Sequence, residues 1–209
     1  MRSVIMKVAL VVAMALGVSL SALPSASAAT AAATAAGCPD GVCSSKYLNY
    51  SGQQQINGYY CGPAATRAAL SVRLINVPTQ SSLGASLGTT VNGTDHIGLV
   101  TGVLRNYVGG WYESKYIGGT YAAQWQIDLL IADVRLNINN AFPIVANVVG
   151  YAYDTNGGYH SYSGGHYLTV VGYEQGGNVS VIFDPAQGVQ YKMETYLLAH
   201  WIAGRGYSA

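Results

Sequence analysis

Charged side chains are scarce. They make up 9% of the 209 residues, with 10 Lys and Arg against 9 Asp and Glu and a formal net charge of +1. Two of the positive charges, Arg2 and Lys7, precede an apolar run over residues 8–20; their removal with that run leaves eight positive charges against nine acids, a net of −1. A chain so balanced offers no electrostatic drive toward nucleic acid or an anionic membrane, and both are excluded as partners. Cysteine is nearly absent, at three residues. His160 and His166 stand six apart with Asp154 nearby, but no second pair at ligand spacing accompanies them, which argues against a metal site. Asp154-Thr155-Asn156-Gly157 lacks the further ligands and the bidentate Glu of a calcium loop. Neither a metal nor any other cofactor is expected, and no internal repeat or second domain is visible.

The apolar run ends in Ser25-Ala26-Ser27-Ala28, an Ala-x-Ala cleavage pattern. Residues 1–28 therefore read as a signal peptide, whereas a membrane anchor needs about 20 apolar residues. The expectation is a secreted, extracellular protein with no stable membrane anchor after cleavage. Residues 29–46 read as a flexible mature terminus, and residues 47–209 as one domain able to bury a sizeable core. Within the terminus, Cys38 and Cys43 bracket the turn-forming Pro39-Asp40-Gly41-Val42, so a short disulfide is possible between them. Cys61 is then the odd cysteine: an intermolecular linker, an inert buried thiol or a reactive one. Composition alone favours the inert thiol.

What the chain does have is glycine, 26 residues, and tyrosine, 17. Helices are expected over residues 62–77, where Pro63 sits in the first turn, and over residues 97–107 and 122–138. Residues 111–117, between two Gly-Gly pairs, read as a short strand. After Phe142-Pro143 the texture becomes β-branched. Strands are expected over 144–149, 166–173, 179–183 and 189–193, joined in one antiparallel sheet and followed by a short helix over 194–203. The fold class is thus α+β, a helical N-terminal half and an antiparallel sheet in the C-terminal half. Residues 151–165, rich in Gly, Tyr and Ser, read as a long connection, either a lid or binding loop or the loose end of a hairpin.

Cys61 stands at the start of the first expected helix, where unpaired N–H groups and the helix dipole favour a thiolate. Gln55, six residues upstream, is near enough to offer its amide to an oxyanion together with the Cys61 N–H. His166 follows Gly164-Gly165 at the mouth of an apolar strand, a suitable place for a base. Asp184 ends the next strand. If the two strands are antiparallel neighbours, its carboxylate reaches the imidazole and fixes its tautomer. His96 and His200 read as packed or surface histidines. Asp95 reads first as the N-cap of the second helix, and second as a residue of the cleft.

Gln55-Ile56-Asn57-Gly58-Tyr59-Tyr60-Cys61-Gly62-Pro63-Ala64-Ala65, with Gly165-His166-Tyr167, Phe183-Asp184-Pro185-Ala186 and Gly93-Thr94-Asp95, resembles secreted relatives of the bacteriocin-leader-processing peptidases, the thirty-ninth cysteine-peptidase family. The resemblance extends over about residues 47–201. It implies a papain-like fold with Cys61 as nucleophile, His166 as base, Asp184 as third member and Gln55 in the oxyanion hole. A peptide or protein substrate is the implied partner. No transporter domain is visible, so the leader-processing role and its double-glycine substrate do not carry over. Two alternatives remain: a thiol acyltransferase or cell-wall peptide amidase on the same scaffold, and a non-catalytic module that binds a peptide or wall polymer through the Tyr-rich segment.

Overall fold

Along residues 144–148 and 167–171 successive side chains alternate between two apolar layers, as a strand with a two-residue period demands. Ile144, Ala146, Val148, Leu168 and Val170 enter one core; Val145 and Tyr167 enter a second, and Val171 a third, smaller cluster. In the computed structural model the described residues are 43–209. The expected signal peptide, most of the terminus after it and the Cys38 end of the expected pairing with Cys43 lie outside them.

The elements run β1 (Lys46–Tyr47), α1 (Cys61–Leu70), α2 (Gln80–Ser86), α3 (Ile97–Val108), β2 (Ser114–Ile117), α4 (Gln124–Asn139), β3 (Ile144–Tyr153), β4 (Tyr159–Glu174), β5 (Val179–Asp184), β6 (Val189–Glu194), α5 (Thr195–Ile202) and β7 (Arg205–Ser208). The strands form one antiparallel sheet in the order β2-β7-β3-β4-β5-β6, with β1 paired to β4. The class is α+β, as expected. Helices α1 and α3 pack with Val145 and Tyr167, while α4 and α5 supply Leu130, Val134, Ile138, Leu198 and Ile202 to the other large core. No helix among the described residues is long and apolar enough to cross a membrane.

Helix α1 is built from small residues. Ala64, Ala65, Ala68 and Ala69 are all buried, and without bulk between them the helix backbone approaches β4 closely enough for Thr169 Oγ1 to donate to the Ala65 carbonyl at 2.9 Å. The helix stops at Leu70, short of the expected residue 77. Ser71 Oγ caps back onto the Ala68 carbonyl at 2.7 Å, and the chain turns outward to an exposed Ile75 before Pro78. Thr79 then caps α2, its Oγ1 accepting from the Ser82 N–H at 3.2 Å. Sequence periodicity missed α2, and it also missed the short polar strand β7, which fills the place between β2 and β3.

Of the two readings of residues 151–165 the structure gives the hairpin and not the lid, and the hairpin end is a regular ladder: these residues form the outer half of the β3–β4 hairpin, with Tyr151 opposite Ser161, Ala152 opposite His160 and Tyr153 opposite Tyr159. Asp154 makes the turn: its Oδ1 accepts from the N–H groups of Asn156 and Gly158, both at 2.8 Å, and Gly157 takes a positive φ of 81°. His166 is accordingly not at a strand mouth but within a strand of 16 residues.

Candidate active site

Cys61 is the first residue of α1, and Tyr60 ahead of it provides no side-chain cap, so the helix N-terminus is left for the thiol. Gly62 is required here. A Cβ at that position would lie 2.3 Å from Thr94 Oγ1, so only glycine lets the segment carrying Thr94 and Asp95 close against the helix start. Cys61 is 8% exposed, His166 4% and Asp184 1%, so charges that form among them are poorly screened by water.

His166 Nε2 is 2.8 Å from Asp184 Oδ1. Antiparallel pairing of Thr169 with Phe183 carries Asp184 to this position at the end of β5. A carboxylate only accepts, so Nε2 holds the hydrogen and Nδ1 is the nitrogen left to hydrogen-bond the Cys61 thiol. Burial pushes the thiol up, but the hydrogen bond and charge of His166, with the N–H groups of Tyr167 and Gly62, outweigh it and hold the thiol below its ordinary value. Burial lowers the imidazole in turn, and Asp184 and Cys61 overcome this, raising it to about 8. Asp184 is likewise raised by burial but lowered on balance by His166, by Tyr162 and by the Ala186 N–H.

A β-bulge completes this arrangement. Between the pairs Val148–His166 and Gly150–Tyr162, strand β4 has three residues, 163–165, against one in β3. In a regular strand residues four apart are separated by roughly 13 Å. The bulge, with Gly165 at φ 95°, instead stacks the Tyr162 ring on His166 at a centroid distance of 3.8 Å. Tyr162 also donates to Asp184 Oδ2 at 2.7 Å, and Tyr191 donates to the same oxygen at 3.4 Å. The sequence reading passed over both tyrosines; a tyrosine four residues before a histidine, across Ser163-Gly164-Gly165, was the signal available for Tyr162.

Gln55 lies against the turn after Asp184, its backbone N–H donating to the Pro185 carbonyl at 2.8 Å. Its Nε2 donates to the Asn57 carbonyl at 2.7 Å, and its Oε1 is buried with no partner. Reversing the amide would set two oxygens against each other, so this orientation stands. One amide hydrogen is used by Asn57 and the second is uncommitted. The segment is held from below by buried Gln80 of α2, which accepts from the Ile56 N–H at 3.1 Å and donates to the Gln54 carbonyl at 2.8 Å. Gln80 escaped the sequence reading with its helix.

Beside Cys61 opens a polar cleft of about 160 Å³, lined among others by Asp95, Asn147, Gly164, Gly165 and Arg205. Asp95 therefore belongs to the cleft and does not cap α3, whose N-cap is His96. His160 is apart from this cluster, paired with Asp154 Oδ2 at 3.1 Å and stacked on Tyr191. His96 is exposed, and His200 Nδ1 accepts from the Ala122 N–H at 3.1 Å. Among the described residues no group of three or more His, Cys, Asp or Glu could hold a metal ion.

The model of the Peptidase_C39 like family matches residues 47–209. Solved structures share the fold, among them two peptidases. The peptidase domain of Streptococcus ComA, a bi-functional ABC transporter involved in quorum sensing, is 19% identical with a TM-score of 0.51, over 76% of this chain and 96% of that one. A fragment of Prevotella intermedia prointerpain A is 11% identical with a TM-score of 0.52, over 82% of this chain and 73% of that one. The architecture is the papain-like peptidase fold. No curated protein matches the chain.

Proposed function

The chain belongs to the Peptidase_C39 like family, and from that membership we propose that it is a secreted cysteine peptidase that hydrolyses peptide bonds through Cys61, His166 and Asp184. The observation that carries the reading is the imidazole of His166, bonded through Nε2 to Asp184 at 2.8 Å, with the thiol of Cys61 near enough to help raise it. Thiol lowered and imidazole raised is the condition for a thiolate–imidazolium pair near neutral pH.

In the proposed reaction the Cys61 thiolate attacks the carbonyl carbon, and the C–O π electrons move to the oxygen. The Cys61 N–H and the uncommitted amide hydrogen of Gln55 hold that oxyanion. As the C–N bond breaks, His166 Nδ1 gives its proton to the leaving amine, and a thioester remains. Water then attacks the thioester while Nδ1 takes its proton, the C–S bond breaks, and the acid product leaves with the thiolate restored. Asp184 stays ionised and keeps the imidazole oriented.

Iodoacetamide kinetics test this directly. At pH 6 an ordinary thiol is below about 1% ionised, so Cys61 should alkylate at least tenfold faster than the same thiol in the urea-unfolded chain. Equal rates would remove the activated nucleophile from the proposal. The leader over residues 1–28 is tested separately, by the N-terminal sequence of protein recovered from the medium of a secreting host, expected to begin at Ala29.

A further inference from the structure

The second site of interest lies away from Cys61. A cavity of about 360 Å³ opens between the outer half of β3, helix α5 and the segment before α4, and its lining includes Thr120, Tyr121, Tyr151, Tyr153, His200 and Trp201. It shares no lining residue with the Cys61 cleft, and its size is at the small end of ligand pockets, roughly 300–1,000 Å³.

Three features restrict what it can hold. No Asp, Glu, Lys or Arg lines it, so an anionic polymer or a charged peptide finds no counter-charge there. Its rim is aromatic and open to water: Tyr121 is 75% exposed, Tyr151 64% and Tyr153 51%. Tyr151, Tyr153 and Tyr159 contact one another ring to ring, and Tyr121 and Tyr196 both stand edge-on to His200, so the platform is preset by packing. Donors and acceptors are also present. The exposed side chains of Tyr121, Tyr151 and Tyr153 present their hydroxyls to solvent, and His200 Nδ1 is an acceptor, which places the imidazole hydrogen on Nε2.

We propose that this cavity is a binding site for a neutral saccharide chain. A pyranose ring offers a face of C–H groups to an aromatic ring and an edge of hydroxyls to tyrosine O–H and imidazole N–H, the combination that an uncharged, tyrosine-rimmed pocket satisfies. A wholly apolar ligand would strand those polar groups. The site is independent of the peptidase reading and would tether the protein to a glycan while leaving the cleft open.

Isothermal titration of the mature protein with two probes, the hexamers of N-acetylglucosamine and of glucose, tests the site. At least one hexamer should bind saturably with a Kd of about 1 mM or tighter. Tyr151→Ala and Tyr153→Ala should each weaken it roughly 3- to 10-fold, the size of one lost aromatic contact, and Cys61→Ala should bind as the parent does. Tyr121→Ala, in a different segment, supplies the same reading if either hairpin variant misfolds. Absence of saturable binding of both hexamers at several millimolar would overturn the proposal. So would an affinity unchanged in all three tyrosine variants, or binding of a decaproline peptide where neither hexamer binds.

Discussion

The inner half of the β3–β4 hairpin buries polar groups and the outer half exposes aromatic ones, although both belong to one antiparallel ladder. On the inner half His166 and Asn147 are buried, and Asp184 of β5 meets the imidazole there. On the outer half Tyr151, Tyr153 and Tyr159 stand in water. The bulge at 163–165 separates the two. A buried ionisable group is tolerated only with its partners in place, so the inner half should respond sharply to single changes. An exposed uncharged ring has no such dependence, and the outer half should be forgiving for everything except its own ligand.

Removal of the sulfur tests the contrast most severely. Cys61→Ala should reduce cleavage of a fluorogenic peptide by about 10⁴-fold or more, while costing only about 1 kcal/mol of stability in urea unfolding, because little volume is lost. Asp184→Asn comes next. With the carboxylate gone the imidazole loses its fixed tautomer, and kcat should fall by about 10²- to 10⁴-fold; an imperfectly satisfied buried amide should also lower stability by about 1–3 kcal/mol.

The pH dependence has two limbs with opposite signs. Hydrolysis needs thiolate and imidazolium together, so kcat/KM should rise with pH through the lowered thiol range and fall as pH passes about 8, where the imidazole loses its proton. Stability follows Asp184 at the acid end. A carboxyl held below its ordinary value contributes stability that is fully present above the unfolded value of 3.8 and is lost as pH falls through the folded one. Urea midpoints at pH 6 and pH 3 should therefore differ, and should differ less in Asp184→Asn.

Tyr162→Phe deletes one hydrogen bond to Asp184 while keeping the stacked ring. A loss of about 1 kcal/mol, roughly fivefold in kcat/KM, is expected, with KM for a short peptide unchanged. The smallest effect belongs to the outer half: Tyr151→Ala should leave peptide cleavage as it was and shift stability by no more than about 0.5 kcal/mol. A large loss of cleavage in that variant would erase the distinction between the two halves.

The grouping of Cys61, His166 and Asp184 was legible in the sequence because each sits beside a local signal: a Cys-Gly-Pro at a helix start, a Gly-Gly that proves to mark the bulge inside β4, and a Pro after a strand. Helix α3 was legible for a similar reason, its apolar residues repeating over residues 97–107. The outer hairpin was legible only as one of two alternatives, since Gly and Ser among its tyrosines masked the two-residue alternation that the ladder obeys. Tyr162 and Tyr191 reach Asp184 only through tertiary geometry, one by a bulge and one from the adjacent strand β6. Gln80 acts on the Gln55 segment from a helix of seven residues with little apolar period, and nothing local in either segment points to the other.

Asp184 accepts from His166, Tyr162, the Ala186 N–H and, at 3.4 Å, Tyr191. A carboxylate has about four such positions, so this one has no vacancy for water and no freedom to swivel. The imidazole it grips is also flanked by the Tyr162 ring. Base and carboxylate thus form a fixture without rotameric choice, and the reorganisation left to the proposed reaction falls on the incoming peptide and on the Gln55 amide, whose second hydrogen is still unassigned.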